Sequence, residues 1–188
     1  MSPLHVLRAA DRFLFHKINH VWTNRALDAV LPLVTDLNKS RVFLGLVLPL
    51  VLLAWVWRQR LRAVRAILAL ALIVGMTDLV CYRAIKPLVH RLRPEYAGVA
   101  PVLRAGSHGR YGFPSNHAAN SFAAAAFLSA LDPALSLPLF AAASVVAYSR
   151  VYVGAHFPLD VVGGALVGMV LGFAGAWALL RLESSGRT

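Results

Sequence analysis

Val161-Val162-Gly163-Gly164-Ala165-Leu166-Val167-Gly168-Met169-Val170-Leu171-Gly172-Phe173-Ala174-Gly175-Ala176-Trp177-Ala178-Leu179-Leu180 carries no charged side chain from one end to the other. About 20 apolar residues are what a helix needs to cross the hydrocarbon of a bilayer. This stretch therefore predicts a transmembrane helix. Its five glycines thin the helix and are read as close helix packing, although small residues could also leave a groove for an acyl or prenyl chain.

Working outward, charge-free stretches recur at Pro133 to Ser149, at His117 to Leu131, at Ala66 to Thr77 continuing past Asp78 to Tyr82, and at Val42 to Trp57. Several are short, but polar flanking residues and tilt extend them. Five spans follow. A sixth is arguable, because Ala26 to Leu37 is apolar but carries Asp28, Asp36 and Pro32, and so could lie in the interface. Leu4 to Ile18 mixes Leu, Val and Phe with Arg8, Arg12 and Lys17, so residues 1–23 read as an amphipathic N-terminal segment. No cleavable signal peptide is evident there. No repeat or long linker divides the chain, and residues 1–188 are expected to form a single membrane-embedded domain. The predicted fold class is an all-α polytopic bundle of about six transmembrane helices.

Composition agrees. The chain is 59% hydrophobic and 14% charged, with mean hydropathy +0.65, whereas soluble domains carry about a quarter charged residues. The single Cys81 excludes an internal disulfide and reads as core filler. A net charge of +11 could suggest nucleic acid. Most of that charge flanks apolar spans, where anionic lipid and orientation signals explain it, and no nucleic-acid partner is expected.

Arg58, Arg60, Arg62 and Arg65 form a basic turn between two spans, which the positive-inside bias assigns to the cytoplasm. Threading from that anchor puts Arg83 to Asn116 and Arg150 to Phe157 together on the opposite face, with Asp132 and the C-terminus inside. With six spans the N-terminus is also cytoplasmic.

Those two outward loops hold nearly all the chemistry. The first begins Lys86-Pro87-Leu88-Val89-His90-Arg91-Leu92-Arg93-Pro94, a row of cations at a membrane edge. It closes with Tyr111-Gly112-Phe113-Pro114-Ser115-Asn116-His117, which leads into an Ala-rich span. Ser115 or Asn116 suits a helix N-cap, which would aim unpaired backbone N–H groups and the positive helix end outward. His117 then stands in the first turn, placed to protonate a leaving oxygen.

In the other loop, Ser149-Arg150 ends one span and His156-Phe157-Pro158-Leu159-Asp160 opens the next. Pro158 suits a first helical turn, so Asp160 should sit just inside the helix and His156 just before it. A carboxylate at that spacing can accept the ring N–H and leave the other nitrogen free to attack. A capping His with a helix-start Asp would look the same. Together the loops supply two histidines, an orienting carboxylate, several permanent cations and a helix N-terminus, an inventory that fits phosphoryl transfer. No metal cage is visible among the acidic residues and histidines, and no cofactor is expected.

These residues resemble the type 2 phosphatidic acid phosphatase superfamily of membrane lipid phosphatases. Its signature is a Lys followed by six residues and Arg-Pro, then Pro-Ser-x-His, then Ser-Arg with a His and an Asp farther on. Lys86 to Arg93-Pro94, Pro114-Ser115-Asn116-His117, and Ser149-Arg150 with His156 and Asp160 match in order and spacing. Asn116 replaces the commoner Gly, which bears only on the local backbone shape.

The resemblance implies that His156 attacks phosphorus and becomes a phosphohistidine, held by Asp160, while His117 protonates the departing oxygen and later activates water. Lys86, Arg93, Ser115, Asn116 and Arg150 would bind phosphate. The chain is also similar, through Phe15 to Asn19, Leu27-Asp28 and Thr35-Asp36, to bacterial undecaprenyl pyrophosphate phosphatases of the bacitracin-resistance type. That implies an inner-membrane enzyme facing the periplasm or outside. Phosphatidylglycerophosphate, phosphatidate and lipid A 1-phosphate phosphatases share the motifs, so the substrate stays open between them. A non-catalytic lipid-headgroup binding or transport protein is the rival from another class, though it leaves His156 and Asp160 unexplained. Of the remaining polar residues, His90, Arg91 and Tyr96 are possible headgroup contacts. Asp78, inside a span, either pairs with Arg83 or a polar neighbour or has a function of its own.

Overall fold

In hydrocarbon every backbone polar group must find its partner within the protein, which restricts a spanning chain to helices or a closed barrel. The computed structural model describes residues 2–106 and 109–185, and among these the chain takes the helical solution, with no strand. The helices are α1 (Pro3–His16), α2 (Arg25–Thr35), α3 (Leu48–Gln59), α4 (Leu61–Leu79), α5 (Lys86–Val89), α6 (Asn116–Leu131), α7 (Ser136–Tyr152) and α8 (Pro158–Ser185). A wide-turned stretch at Val80–Ile85 joins α4 to α5, making one rod from Leu61 to Val89.

That rod, Pro133–Tyr152 and Pro158–Ser185 are each long and apolar enough to cross a membrane, and Phe43–Gln59 is a shorter apolar helix. The stretch expected to supply a further span, α6, has 16 residues. At 1.5 Å per residue it reaches about 24 Å, short of the hydrocarbon thickness. Its place is in the middle of the bundle, where Ala118, Ala119, Ala123, Ala125, Ala126 and Phe127 are all buried.

The reason α6 can sit there is the glycine face of α8. A Cβ on Gly164, Gly168 or Gly172 would run into the backbone of Ser115, Ala119 or Ala123. Gly163 and Gly175 likewise meet Phe113 and Ile73. All five glycines therefore face protein, as the packing reading requires. One core cluster, with Phe15, Ile18, Leu31, Tyr152, Phe157 and Val161, lies at the end carrying the polar loops. A second, with Ala66, Ile73, Ala123, Phe127 and Ala176, lies farther along the bundle.

The N-terminal third bears on two readings that the sequence leaves open. Ala26 to Leu37 forms most of α2, which at 11 residues is shorter than a crossing needs, and both of its ends engage the last turn of α7. Asp28 accepts from Tyr152 Oη at 2.8 Å, and Thr35 Oγ1 accepts from Arg150 at 2.7 Å. With five crossings in place of six, the N-terminus would lie on the side opposite the basic turn. The contacts agree, because Asp11 of α1 accepts from Leu159 N at the start of α8, at 2.9 Å. Residues 186–188, where the inward C-terminus is expected, and residues 107–108 of the outward loop lie outside the described residues.

Candidate active site

The site is built from loop ends that are stitched together by main-chain bonds. After α5 the backbone turns through His90 in the left-handed region, φ 50° and ψ 25°. The following loop then closes on itself: Arg93 N donates to Arg110 O at 3.1 Å and Gly112 N to Arg91 O at 2.7 Å. Ser115 N donates to Asp160 O at 2.9 Å, which joins the start of α6 to the start of α8. After α7 the chain turns at Gly154, whose φ of 84° favours glycine and whose added Cβ would lie 2.8 Å from Val102 O. This turn delivers His156.

Three stretches far apart in sequence meet here. Arg93 is buried; its Nη1 donates to Ala155 O at 2.9 Å and lies 2.8 Å from His156 Nε2. Its Nε donates to Tyr111 O at 3.2 Å. Lys86, also buried, donates to Pro114 O at 2.5 Å. Arg150 is 1% exposed and donates through Nη1 to Thr35, while its Nε is buried without a hydrogen-bond partner. Burial pushes Arg93 below the ordinary guanidinium range, against the raising fields of Asp160, Glu95 and Tyr96. An arginine remains a cation there. Lys86, Arg93 and Arg150 thus present positive charge in a low-dielectric setting, where it acts more strongly on an anion than in water.

His156 Nδ1 lies 3.5 Å from Asp160 Oδ2, which also accepts from Phe157 N at 3.0 Å. The ring contact is long, as such bonds often are before substrate tightens them. A proton on Nδ1, facing the carboxylate, leaves the Nε2 lone pair on the side of Arg93. Ser115 is the N-cap of α6 in an extended conformation, φ −75° and ψ 114°, and its side chain makes no cap bond. Its Oγ is buried without a hydrogen-bond partner, directed to no group of the protein. His117 is half-buried in the first turn of α6.

Lys86, Arg93, Ser115, His117, Arg150, His156 and Asp160 therefore converge. Asn116 takes a different part: its Nδ2 donates to Asp78 Oδ1 at 2.6 Å, and Asn120 approaches the same oxygen at 3.4 Å. Asp78 thus pairs with polar neighbours. His90 and Tyr96 lie on the exposed surface, the His90 ring standing edge-on to Tyr111 with centroids 5.0 Å apart. Arg91 turns inward, ion-paired with Asp11 and with Asp160 Oδ1 at 2.9 Å. Among the described residues no group of three or more His, Cys, Asp or Glu is arranged to hold a metal ion.

Sequence reasoning missed four participants. Thr35 holds Arg150. Beside it, burial raises the Asp36 carboxyl, but the hydrogen bond and charge of Lys39, with Arg150 and His117 beyond, hold it below the usual carboxylate range. Gly112 is needed because a Cβ there would lie 2.7 Å from Asp160 Oδ2. Asp11 is the fourth. The one signal for any of them was Thr35-Asp36, part of the stretch similar to bacitracin-resistance phosphatases.

Comparison with known proteins gives this geometry a family. A lipid A 4'-phosphatase of Bacteroides thetaiotaomicron is 39% identical over 116 residues, 58% of this chain and 50% of the relative. The chain thus spans about half the length of that curated relative. An undecaprenyl-diphosphatase of Bacillus subtilis is 26% identical over 158 residues, covering 84% of this chain and 77% of the relative. The fold is that of the crystal structure of a transmembrane PAP2-type phosphatidylglycerolphosphate phosphatase from Bacillus subtilis. The TM-score is 0.67 at 24% identity, over 90% of this chain and 84% of that one. The PAP2 superfamily pattern itself matches residues 62–183, which takes in every one of the converging motifs, and the chain belongs to the PAP2 superfamily.

Proposed function

We propose that this chain is a membrane phosphatase that removes phosphate from a lipid through a phosphohistidine formed on His156. The observation that carries the reading is the meeting of Arg93 Nη1 and His156 Nε2 at 2.8 Å, across 63 positions of sequence, with Asp160 behind the ring. A lone pair held beside a guanidinium is where a phosphoryl group would be received, its oxygens taken by Arg93, Lys86, Arg150 and the free Oγ of Ser115. His156 Nε2 bonds to phosphorus as the bond to the lipid oxygen breaks, and His117 supplies that oxygen with a proton. Water then attacks the phosphohistidine, His117 takes its proton, and phosphate leaves. Asp160 keeps the Nδ1 proton in place throughout, in the manner of a triad carboxylate.

For the lipid, a polyprenyl diphosphate such as undecaprenyl pyrophosphate is the first reading. It is favoured by the relative of that activity that aligns over most of the chain. A phosphorylated glycolipid of the lipid A type is the second, favoured by the 39% identity of the shorter match. The site is proposed to face away from the basic turn, toward the periplasm or outside.

The test is phosphate release by detergent-solubilised protein from a short-chain lipid phosphate. His156→Ala should lose at least about a thousandfold in kcat with the helical circular dichroism unchanged. Unchanged release in that variant would refute the nucleophile. Relative turnover of undecaprenyl pyrophosphate, phosphatidylglycerophosphate, phosphatidate and lipid A then ranks the substrates.

A further inference from the structure

Most of α1 is exposed, as an amphipathic helix at a membrane surface should be, yet Asp11 is only 4% exposed. Anchoring α1 does not require it, since Phe15 on the same face is fully buried against the ring of Phe157. Burying a carboxylate to hold a helix down is an inefficient source of stability, because desolvation cancels much of the attraction. The contacts of Asp11 are more specific than an anchor needs. One carboxylate oxygen accepts from Leu159 N at 2.9 Å. The other pairs with Arg91 Nη2, while Arg91 Nη1 is 2.9 Å from Asp160 Oδ1. Asp11 therefore holds the backbone one residue before Asp160 and, through the planar fork of Arg91, the Asp160 side chain itself. Asp160 Oδ2, which accepts from Phe157 N, is the oxygen that faces the His156 ring and can orient it. The family pattern begins at residue 62, so α1 lies outside it.

We propose that Asp11 is a positioning residue, which acts through Arg91 to fix the Asp160 carboxylate against His156 and makes the N-terminal helix a working part of the catalytic site. Arg91, expected from sequence to touch a headgroup, is here the middle of this relay. Its guanidinium also lies over the Phe157 ring, 5.1 Å from the centroid, which limits the ways it can turn. A buried carboxylate shared between a backbone N–H and an arginine fork has the form of the outer partners that align catalytic histidines elsewhere.

The proposal rests on the reading of His156 as nucleophile, and one experiment separates the two. Steady-state hydrolysis of a short-chain phosphatidate is measured for Asp11→Asn, Arg91→Gln, the double variant and His156→Ala, each corrected for folded protein by its thermal unfolding transition in detergent. Asp11→Asn keeps an acceptor for Leu159 N but loses the ion pair. Its kcat should fall about tenfold to a hundredfold with KM held within about a factor of two. The double variant should be no worse than the poorer single one, because both break the same relay. A kcat for Asp11→Asn equal to the parent after correction, or losses that multiply in the double variant, would overturn the proposal. Should Asp11→Asn not accumulate folded, the same kcat and KM comparison on Arg91→Gln decides. If His156→Ala stays active, the nucleophile reading has failed; if it is dead while Asp11→Asn is not impaired, only the relay has.

Discussion

Thr35 shows how much of the site hangs on single hydrogen bonds. Arg150 is 1% exposed, and the Thr35 hydroxyl is what its Nη1 donates to. A bond to a charged group contributes about 1.5–3 kcal/mol, and leaving a guanidinium donor buried without a partner costs the same order. Thr35→Val keeps the shape and removes the acceptor. It should lower kcat/KM by about tenfold to a hundredfold, with competitive inhibition by inorganic phosphate weakened in parallel. If inhibition by phosphate is unchanged, Arg150 does not depend on Thr35. At this scale the sequence was readable where side chains follow one another along the chain, as with His156 and Asp160, whose spacing across a helix start defines their relation. It was silent on Asp11 and Gly112, because each acts on a residue more than 45 positions away and nothing local to it differs from an ordinary helix or loop.

Among the elements, the α6–α8 pair sets the geometry, since α6 carries Ser115 and His117 and α8 carries Asp160. Their close approach depends on glycine: a Cβ on Gly168 would collide with the backbone carbonyl of Ala119, which cannot give way as a flexible side chain can. Overpacking of this kind costs about 1–3 kcal/mol and shifts the helices apart. Gly168→Leu should therefore reduce both the thermal midpoint in detergent and kcat, whereas Val170→Leu, on the exposed side of the same helix, should reduce neither. Equal midpoints for the two would show that the glycine face is not the contact. The glycine pattern was legible as helix packing because small residues at helical spacing have few other uses in an apolar segment. The role of α2 was not. The 12 residues from Ala26 to Leu37, with Asp28, Asp36 and Pro32 among them, suit either a crossing or an interfacial helix, and nothing in them announces the ties to Tyr152 and Arg150.

For the molecule as a whole, α1 lies at the site end, where Asp11 meets Leu159, and the basic turn at the other. Cys81, the single cysteine, is fully buried. Engineered cysteines at exposed Arg8, Arg60 and Tyr96 can therefore be read one at a time with a membrane-impermeant maleimide on sealed cells. Arg8→Cys and Tyr96→Cys should label together, and Arg60→Cys only after the membrane is opened. Arg8→Cys labelling with Arg60→Cys would return the N-terminus to the cytoplasmic side. The membrane class was plain from hydropathy, and the converging loops from the two helical stretches between them, since α6 runs away from the site and α7 returns to it. The side of the N-terminus was left open in the sequence, because it turns on one ambiguous segment.

The stitching of the loops has an evolutionary reading. Arg93 N to Arg110 O, Gly112 N to Arg91 O, Ser115 N to Asp160 O, and the carbonyls of Pro114 and Ala155 that receive Lys86 and Arg93 are all main-chain groups. A scaffold written in peptide bonds survives exchange of the side chains around it. The exposed rim at His90, Tyr96 and their neighbours is thus at liberty to drift while the main-chain frame beneath it stays in register.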